Sequence, residues 1–380
     1  MADSTLTLDA EINTGDWNAG VKDIQSGSRQ IEESARQADE SLSDVDKSAS
    51  KSSSGFGKFG AAAGAVGGFA VTAITCWLLI PALHRLHFGQ TIREEGPTWH
   101  NKKNGTPTMG GLMFIFGTIL CLVGNFPAMS DDSPFYVLAL ALCFGLIGFL
   151  DDFTKVKFHR NLGLTTLQKA MLQMAVSALF LYAMYRSGFM DTHLYIPFMN
   201  VSFRLHPIVY IFFAMFVMVG TDNAVNLTDG VDGLCASITL PVMTFFTAAA
   251  AAMGKYDLAL LPAALSGGLV AYLFYNWHPA KVFMGDTGSL FLGGVVCAMA
   301  FALEMPLILI LIGFVYVCEA MSDILQVSYF KATHGKRIFR MTPIHHAFEM
   351  RGWREVKIDA FFALIAIIGV AMGIFYICVA

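Results

Sequence analysis

FYVLALALCFGLIGFLDDFTK, residues 135–155, sets sixteen apolar residues directly against two adjacent aspartates, with a lysine three positions further on. A helix can carry such a run through hydrocarbon because it satisfies its own backbone N–H and C=O groups, and about 20 residues span a bilayer. Working outward, comparable runs fall at about 61–83, 109–128, 167–185, 206–221, 234–253, 258–275, 288–303, 305–326 and 359–380. Several are near 16 residues, short enough that flanking side chains must snorkel. Composition agrees: 55% of the 380 residues are hydrophobic and only 14% charged, against about 25% charged in soluble proteins. The expected fold is all-α, a polytopic integral membrane protein of about ten transmembrane helices over residues 61–380, with a cytoplasmic-side active site.

Residues 1–60 are a different kind of sequence. They are rich in Ser, Ala, Asp, Glu and Gln, and positions 1–58 hold 6 of the 25 Lys+Arg and 11 of the 29 Asp+Glu. There is no basic n-region followed by an apolar h-region, so a signal peptide is not expected. The segment reads as a polar tail, disordered or appended. The seven cysteines, Cys76, Cys121, Cys143, Cys235, Cys297, Cys318 and Cys378, are isolated and mostly inside apolar runs. A disulfide framework or a structural zinc site is therefore not expected.

Orientation follows from the basic residues. One set of loops carries Arg85, Arg93, Lys102, Lys103, Lys155, Lys157, Arg160, Lys169 and Lys281, and seven more between Lys331 and Lys357; the opposite set carries only Arg186, Arg204 and Lys255. The first set is expected in the cytoplasm. With ten spans both termini then lie outside, in a multi-pass topology.

The chemistry-bearing residues fall on that same side. In PTWHNKKNGTPTMGG, 97–111, Lys102 and Lys103 precede a Gly-Thr-Pro-Thr turn and suit phosphate as point charges, with Thr108 as a helix cap in the plainer reading. In GFLDDFTKVKFHR, Asp151 and Asp152 end a helix, where anions are disfavoured, with Lys155 and Lys169 to neutralise them or bind anions. Adjacent helical residues point about 100° apart, so these two are not expected to share one ligand set. In NAVNLTDGVDGL, 223–234, Asn226, Asp229 and Asp232 recur every third residue. The spacing lacks the bidentate Glu of a calcium loop, leaving hydrogen bonding to a nucleotide or amide against simple turn chemistry. In YNWHPAKVFMGDTGSLFLGG, 275–294, Asp286 and Ser289 precede a span, and one carboxylate suffices for Mg²⁺ on a phosphate. In RMTPIHHAFEMRGW, 340–353, His345 and His346 are adjacent, which does not suit zinc chelation; contact with anionic substrate groups is the better expectation. Glu319 and Asp323 share a face of the ninth span, lining a cavity or joining helices.

Together these strings resemble the phospho-N-acetylmuramoyl-pentapeptide transferase family. QTIREEG at 90–96, KKNGTPTMGG at 102–111, GFLDDFTK at 148–155, NAVNLTDGVDGL at 223–234, VFMGDTGSL at 282–290 and RMTPIHHAFE at 340–349 stand in that family's order. The resemblance implies transfer of phospho-MurNAc-pentapeptide from its UDP carrier to undecaprenyl phosphate, giving lipid I and UMP, with Mg²⁺ in the bacterial inner membrane. It implies Asp286 as the metal ligand and Asp151 and Asp152 as the catalytic pair. Asn226, Asp229, Asp232, Asn276 and Phe283 would line the nucleotide pocket, with Phe283 stacking on uracil. Lys102, Lys103, Thr108, Lys155, Lys169, Ser289, His345 and His346 would complete the substrate site. It also implies a homodimer and nucleoside inhibitors at the uridine pocket, and no nucleic-acid partner. One departure is visible: the family carries three histidines where this chain has His345, His346 and then Ala347.

Two rivals remain. A polyprenyl-phosphate GlcNAc-1-phosphate transferase would share the aspartates and Mg²⁺. An ion-coupled secondary transporter would instead place its carboxylates near the bilayer midplane.

Overall fold

The computed structural model describes residues 60–85, 105–158, 163–187, 192–199 and 201–379. The segment 1–59, Lys102 and Lys103 lie outside them. Among the described residues nine helices are long and apolar enough to cross a membrane, or ten if one bent pair is a single span. They are α1 (Gly60–Arg85), α2 (Gly111–Asn125), α3 (Ser133–Lys157), α4 (Thr166–Arg186), α5 (Pro207–Thr228), α6 (Leu234–Ala252), α7 (Tyr256–Asn276), α8 (Gly285–Ala302) and α12 (Glu355–Val379). The ninth expected run is broken at Gly313. A turn from Pro306 and α9 (Leu309–Ile312) meet α10 (Phe314–Ala332) at a bend of 86°. A short helix α11 (Ile344–Glu349) precedes α12. Each apolar run of the sequence falls on one of these elements, and the fold is an all-α polytopic membrane protein. One element was not expected: β1 (His193–Ile196) pairs antiparallel with β2 (Val201–Arg204), placing His193 opposite Arg204.

The helices outrun their apolar stretches where function concentrates. α3 continues seven residues past Leu150, ending on Lys155 and Lys157, the sign of charge that a helix C-terminus favours. α5 runs through Asn226 to Thr228, so the third motif is largely helix rather than loop. α4 starts cleanly because Thr165 and Gln168 form a reciprocal capping box.

α8 is the most enclosed of the spans and α1 the least. Its closest partner is α3, and the contact is set by small residues. A Cβ on Gly148 would lie 2.1 Å from the Asp286 carbonyl oxygen, and one on Gly111 of α2 would lie 2.2 Å from the Gly288 Cα. Glycine at both places lets three helix backbones touch, as is common between membrane helices. Outward faces stay apolar, Phe216 being 78% exposed, which suits lipid rather than water. All seven cysteines are free.

Candidate active site

The C-terminal end of α3 meets the N-terminal end of α8, and that junction builds the site. Asp152 is 1% exposed and its carboxylate serves α8 directly. Oδ1 accepts from the Asp286 backbone N–H at 3.2 Å, and Oδ2 accepts from the Thr287 N–H at 2.9 Å and the Thr287 hydroxyl at 2.7 Å. α8 has no side-chain cap of its own. Its orphan N–H groups are thus satisfied from a neighbouring helix. Gly285 makes room for this: its φ is +73°, and a Cβ there would sit 2.5 Å from Asp152 Oδ2 and 2.8 Å from Thr108 Oγ1.

Asp151 points elsewhere. Its Oδ1 accepts from the Leu164 N–H at 2.6 Å, where the α3–α4 connection folds back over it at Gly163, and its Oδ2 lies 2.6 Å from Lys155 Nζ. Asp286, in the first turn of α8, takes both lysines on Oδ2, Lys169 at 2.8 Å and Lys155 at 3.0 Å. Its Oδ1 accepts from Asn226 Nδ2 at 3.1 Å, and the same amide reaches the Ser289 hydroxyl at 3.2 Å. Asp151, Asp152 and Asp286 each bring one oxygen to within 4.8 Å of the others. The expectation that Asp151 and Asp152 would not converge on one set is therefore corrected. Their side chains do diverge, but the end of α8 sits between the two directions.

Several expected residues occupy other places. Thr108 does not cap α2, whose N-cap is Gly110 without a side-chain bond. It is buried beside Gly285, and its hydroxyl has no hydrogen-bond partner among the described residues. Residues 107–111 instead pair with 283–284 by backbone: Phe283 N–H donates to Pro107 at 2.8 Å and Gly110 N–H to Phe283 at 2.8 Å. This fixes Phe283, half-buried, next to the α8 start. Asn276 is a brace, accepting from the Gly233 N–H at 3.2 Å and donating to the Val282 carbonyl at 2.9 Å. Asp232 is directed into a separate cluster: its Oδ2 accepts from the Ala280 N–H at 3.0 Å and lies 3.1 Å from His278 Nδ1, with Glu355 completing the group. Asp229 terminates α5 half-buried. Burial, and then the carboxylates of Asp286, Asp152 and Asp232, push it well above the usual carboxylate range.

The histidines also depart from expectation. His345 has no exposed surface; its Nδ1 is 3.0 Å from Glu319 Oε2 and its N–H donates to the same oxygen at 3.4 Å. Contact with a substrate anion is closed to it in this conformation. Glu319 and Asp323 join helices: Asp323 accepts from the Thr342 hydroxyl at 3.0 Å. His346 is partly exposed, with Nδ1 at 2.5 Å from Glu349. His345 lies under the α5–α6 loop, where a Cβ on Gly230 would be 2.2 Å from its Nε2. Neither ring nor loop has slack there. Gly230→Ala is expected to destabilise the protein by about 1–3 kcal/mol through overpacking. An unchanged Tm for the purified variant would show that the loop is looser than its contacts indicate.

One layer was not foreseen. A turn below Lys169 on α4, Gln173 Nε2 donates to Asp222 Oδ2 at 2.6 Å, and Asn223 Nδ2 donates to Gln173 Oε1 at 2.9 Å. Asp222 lies four residues before Asn226 on α5. The pair therefore ties together, from beneath, the two helix faces that hold Asp286. The i,i+4 spacing from Lys169 and from Asn226 was the signal available in the sequence.

Comparison with known proteins fits these motifs. Residues 134–304 match the Glycosyl transferase family 4 model, and residues 103–115 match phospho-N-acetylmuramoyl-pentapeptide-transferase signature 1. The phospho-N-acetylmuramoyl-pentapeptide-transferase of Clostridium acetobutylicum is 46% identical over 291 residues, which cover 77% of this chain and 90% of that protein. The protein of the same name from Clostridium perfringens strain 13 is 48% identical over 305 residues, 79% of this chain and 93% of that one. For Clostridium novyi the figures are 45% over 307 residues, 80% and 93%. Identity at that level, sustained over nearly the whole length of each relative, shows that this chain belongs to the phospho-N-acetylmuramoyl-pentapeptide-transferase family.

Proposed function

We propose that residues 61–380 transfer phospho-MurNAc-pentapeptide from UDP-MurNAc-pentapeptide to undecaprenyl phosphate, giving lipid I and UMP at the cytoplasmic face of the bacterial inner membrane. The observation that carries this is the meeting of Asp151, Asp152 and Asp286 with Lys155 and Lys169 at one end of the bundle. An end-of-helix position lets a soluble nucleotide and a lipid-borne phosphate reach the same atoms.

The donor set suits a hard divalent ion: three carboxylates and no sulfur or imidazole, so Mg²⁺ is the natural choice, with Asp286 as its ligand. When bound, such an ion neutralises charge on the phosphoryl oxygens. The residues do the rest by position. A lipid-phosphate oxygen attacks the β-phosphorus, the bond to the oxygen bridging the α-phosphate breaks, and UMP leaves with that oxygen. Lys155 and Lys169 take up phosphate charge as it shifts toward UMP. Asn226, whose amide also reaches the Ser289 hydroxyl, holds Asp286 in orientation, and Asp151 orients the incoming phosphate. Phe283 offers a half-buried ring for uracil, the subsite where nucleoside inhibitors would compete, and Asp229, at the end of α5, belongs to the same nucleotide pocket.

Direct attack is favoured over a covalent aspartyl phosphate because neither aspartate of α3 is a free nucleophile. Asp152 accepts three hydrogen bonds in the interior, and Asp151 holds the Leu164 N–H and Lys155. Labelled UMP should therefore not exchange into UDP-MurNAc-pentapeptide when the lipid acceptor is omitted; exchange at a rate near turnover would establish the two-step route. The function itself is tested by UMP release in detergent, with and without Mg²⁺, offering UDP-MurNAc-pentapeptide and UDP-GlcNAc separately. Release from the first alone is expected, and release from the second alone would identify the GlcNAc-1-phosphate enzyme.

A further inference from the structure

We propose that the β1–β2 hairpin is a docking surface for acidic phospholipids, in which its turn and the apolar residues of β2 enter the lipid interface while Arg204 and Arg186 take the headgroup phosphates. The inference goes beyond the transferase reading and makes no use of the carboxylate site.

The hairpin lies at the opposite end of the bundle from that site. α4 carries Lys169 in its first turn and ends at Arg186, and α5 starts at Pro207 and reaches Asn226 in its last turn. Lys169 and Asn226 both contact Asp286, so the connection between the two helices sits at their far ends. β1 holds it in place. Leu194 is buried, the Tyr195 hydroxyl is hydrogen-bonded to that of Tyr376 on α12, and the Phe198 ring lies 4.5 Å from the Tyr376 ring, centroid to centroid. β2 is exposed along its whole length, with Val201 and Phe203 alternating with Ser202 and Arg204. The turn adds Phe198 at 57% exposure and Met199 at 70%.

Two features identify the occupant. The apolar surface continues onto the spans that flank the hairpin: Tyr182 and Tyr185 near the end of α4, and Ile208, Val209 and Phe212 at the start of α5, are exposed as well. Those faces meet lipid, and aromatic side chains at the end of a span sit at headgroup level. The second feature is charge. Only Arg186, Arg204 and Lys255 are expected on this side, yet two of the three flank the hairpin. His193 and His206 add ring donors, and no acidic residue occurs between Asp191 and Asp222. Arg204 Nε donates to Thr192 Oγ1 at 3.5 Å, which steadies a planar fork suited to phosphate. A zwitterionic headgroup carries no net charge for these arginines, whereas an acidic one does. A second copy of this chain fits less well, because a two-fold contact sets one patch against itself and brings the arginines together.

The test puts the photoreactive residue p-benzoylphenylalanine in place of Phe203 in the full chain, held in nanodiscs of phosphatidylcholine with phosphatidylglycerol as the minor lipid. Adducts formed on illumination are identified by mass spectrometry. Lipid adducts are expected, with phosphatidylglycerol enriched about fivefold over its share of the bilayer, the effect of one cation near an anionic surface. Arg204→Lys should keep that enrichment. Arg186→Gln combined with Arg204→Gln should abolish it while lipid adducts still form, and high salt should weaken it in the parent. Adducts to a second copy of the chain, or none to lipid, would overturn the proposal. So would lipid adducts at bilayer composition in the parent, a result that needs no arginine variant to fold, or enrichment that survives loss of both arginines. UMP release, measured on the same preparations, reports on the transferase reading alone, so either idea can fail without the other.

Discussion

Asp286→Ala is expected to lower kcat for UMP release by at least about a thousandfold, about 4 kcal/mol of transition-state stabilisation, while leaving a folded membrane protein. The size follows from how much converges on that one carboxylate. Among the described residues it is the one side chain that both lysines and Asn226 contact together, and it is the most exposed of the three aspartates at 19%. Removing it takes away the proposed metal ligand and releases Lys155 and Lys169 to the remaining acids. Stability should change little, because Asp286 caps nothing: the α8 N–H groups belong to Asp152. Asp286→Asn is the companion variant, since it keeps the size of the side chain and removes only the charge. Both should elute from size exclusion as the parent does. Near-normal turnover in either would refute the assignment of Asp286.

What the sequence could show, and where it stopped, follows from two different kinds of constraint. Hydrocarbon imposes a length and a composition on every span, so the ten apolar runs were legible one by one. No such rule governs the ends. α5 continues through Asp222, Asn223 and Asn226 because those polar side chains face α4 and α8 rather than lipid, and the partners that make them affordable are more than forty residues away. Adjacent aspartates were misread for a related reason. Their divergence on α3 is real, but convergence depends on where α8 begins, and only tertiary packing sets that. Asp232 read as a polar group for a ligand from its spacing, and Asn276 from the resemblance alone, and neither reading shows that His278, Ala280, Gly233 and Val282 already use them. His345 read as a substrate contact because a histidine in a basic stretch looks exposed; Glu319, twenty-six residues earlier, draws it inside.

Asp152→Ala should show the opposite balance from Asp286→Ala, with structure failing along with activity. The substitution leaves the Asp286 and Thr287 N–H groups and the Thr287 hydroxyl facing a cavity at a buried helix end. An N-terminal cap is worth about 0.5–2 kcal/mol, and each buried donor left unpaired costs about 1–3 kcal/mol more. A loss of at least about 3 kcal/mol is expected, read as a fall in Tm of about 5–10 °C. Turnover should drop at least about a hundredfold, because the first turn of α8 that carries Asp286 is no longer pinned to α3. Asp152→Asn separates the two effects. Its amide oxygen can still accept from the Thr287 N–H, so most of the stability should return. The negative charge beside Lys155, 3.9 Å away, would not, and activity should recover only in part. If Asp152→Ala melted with the parent and yet was inactive, Asp152 would have to act on the substrate rather than on the helix. That outcome would transfer the positioning of α8 to Gly148 and Gly111, whose backbone contacts with Asp286 and Gly288 are the other restraints on its first turn.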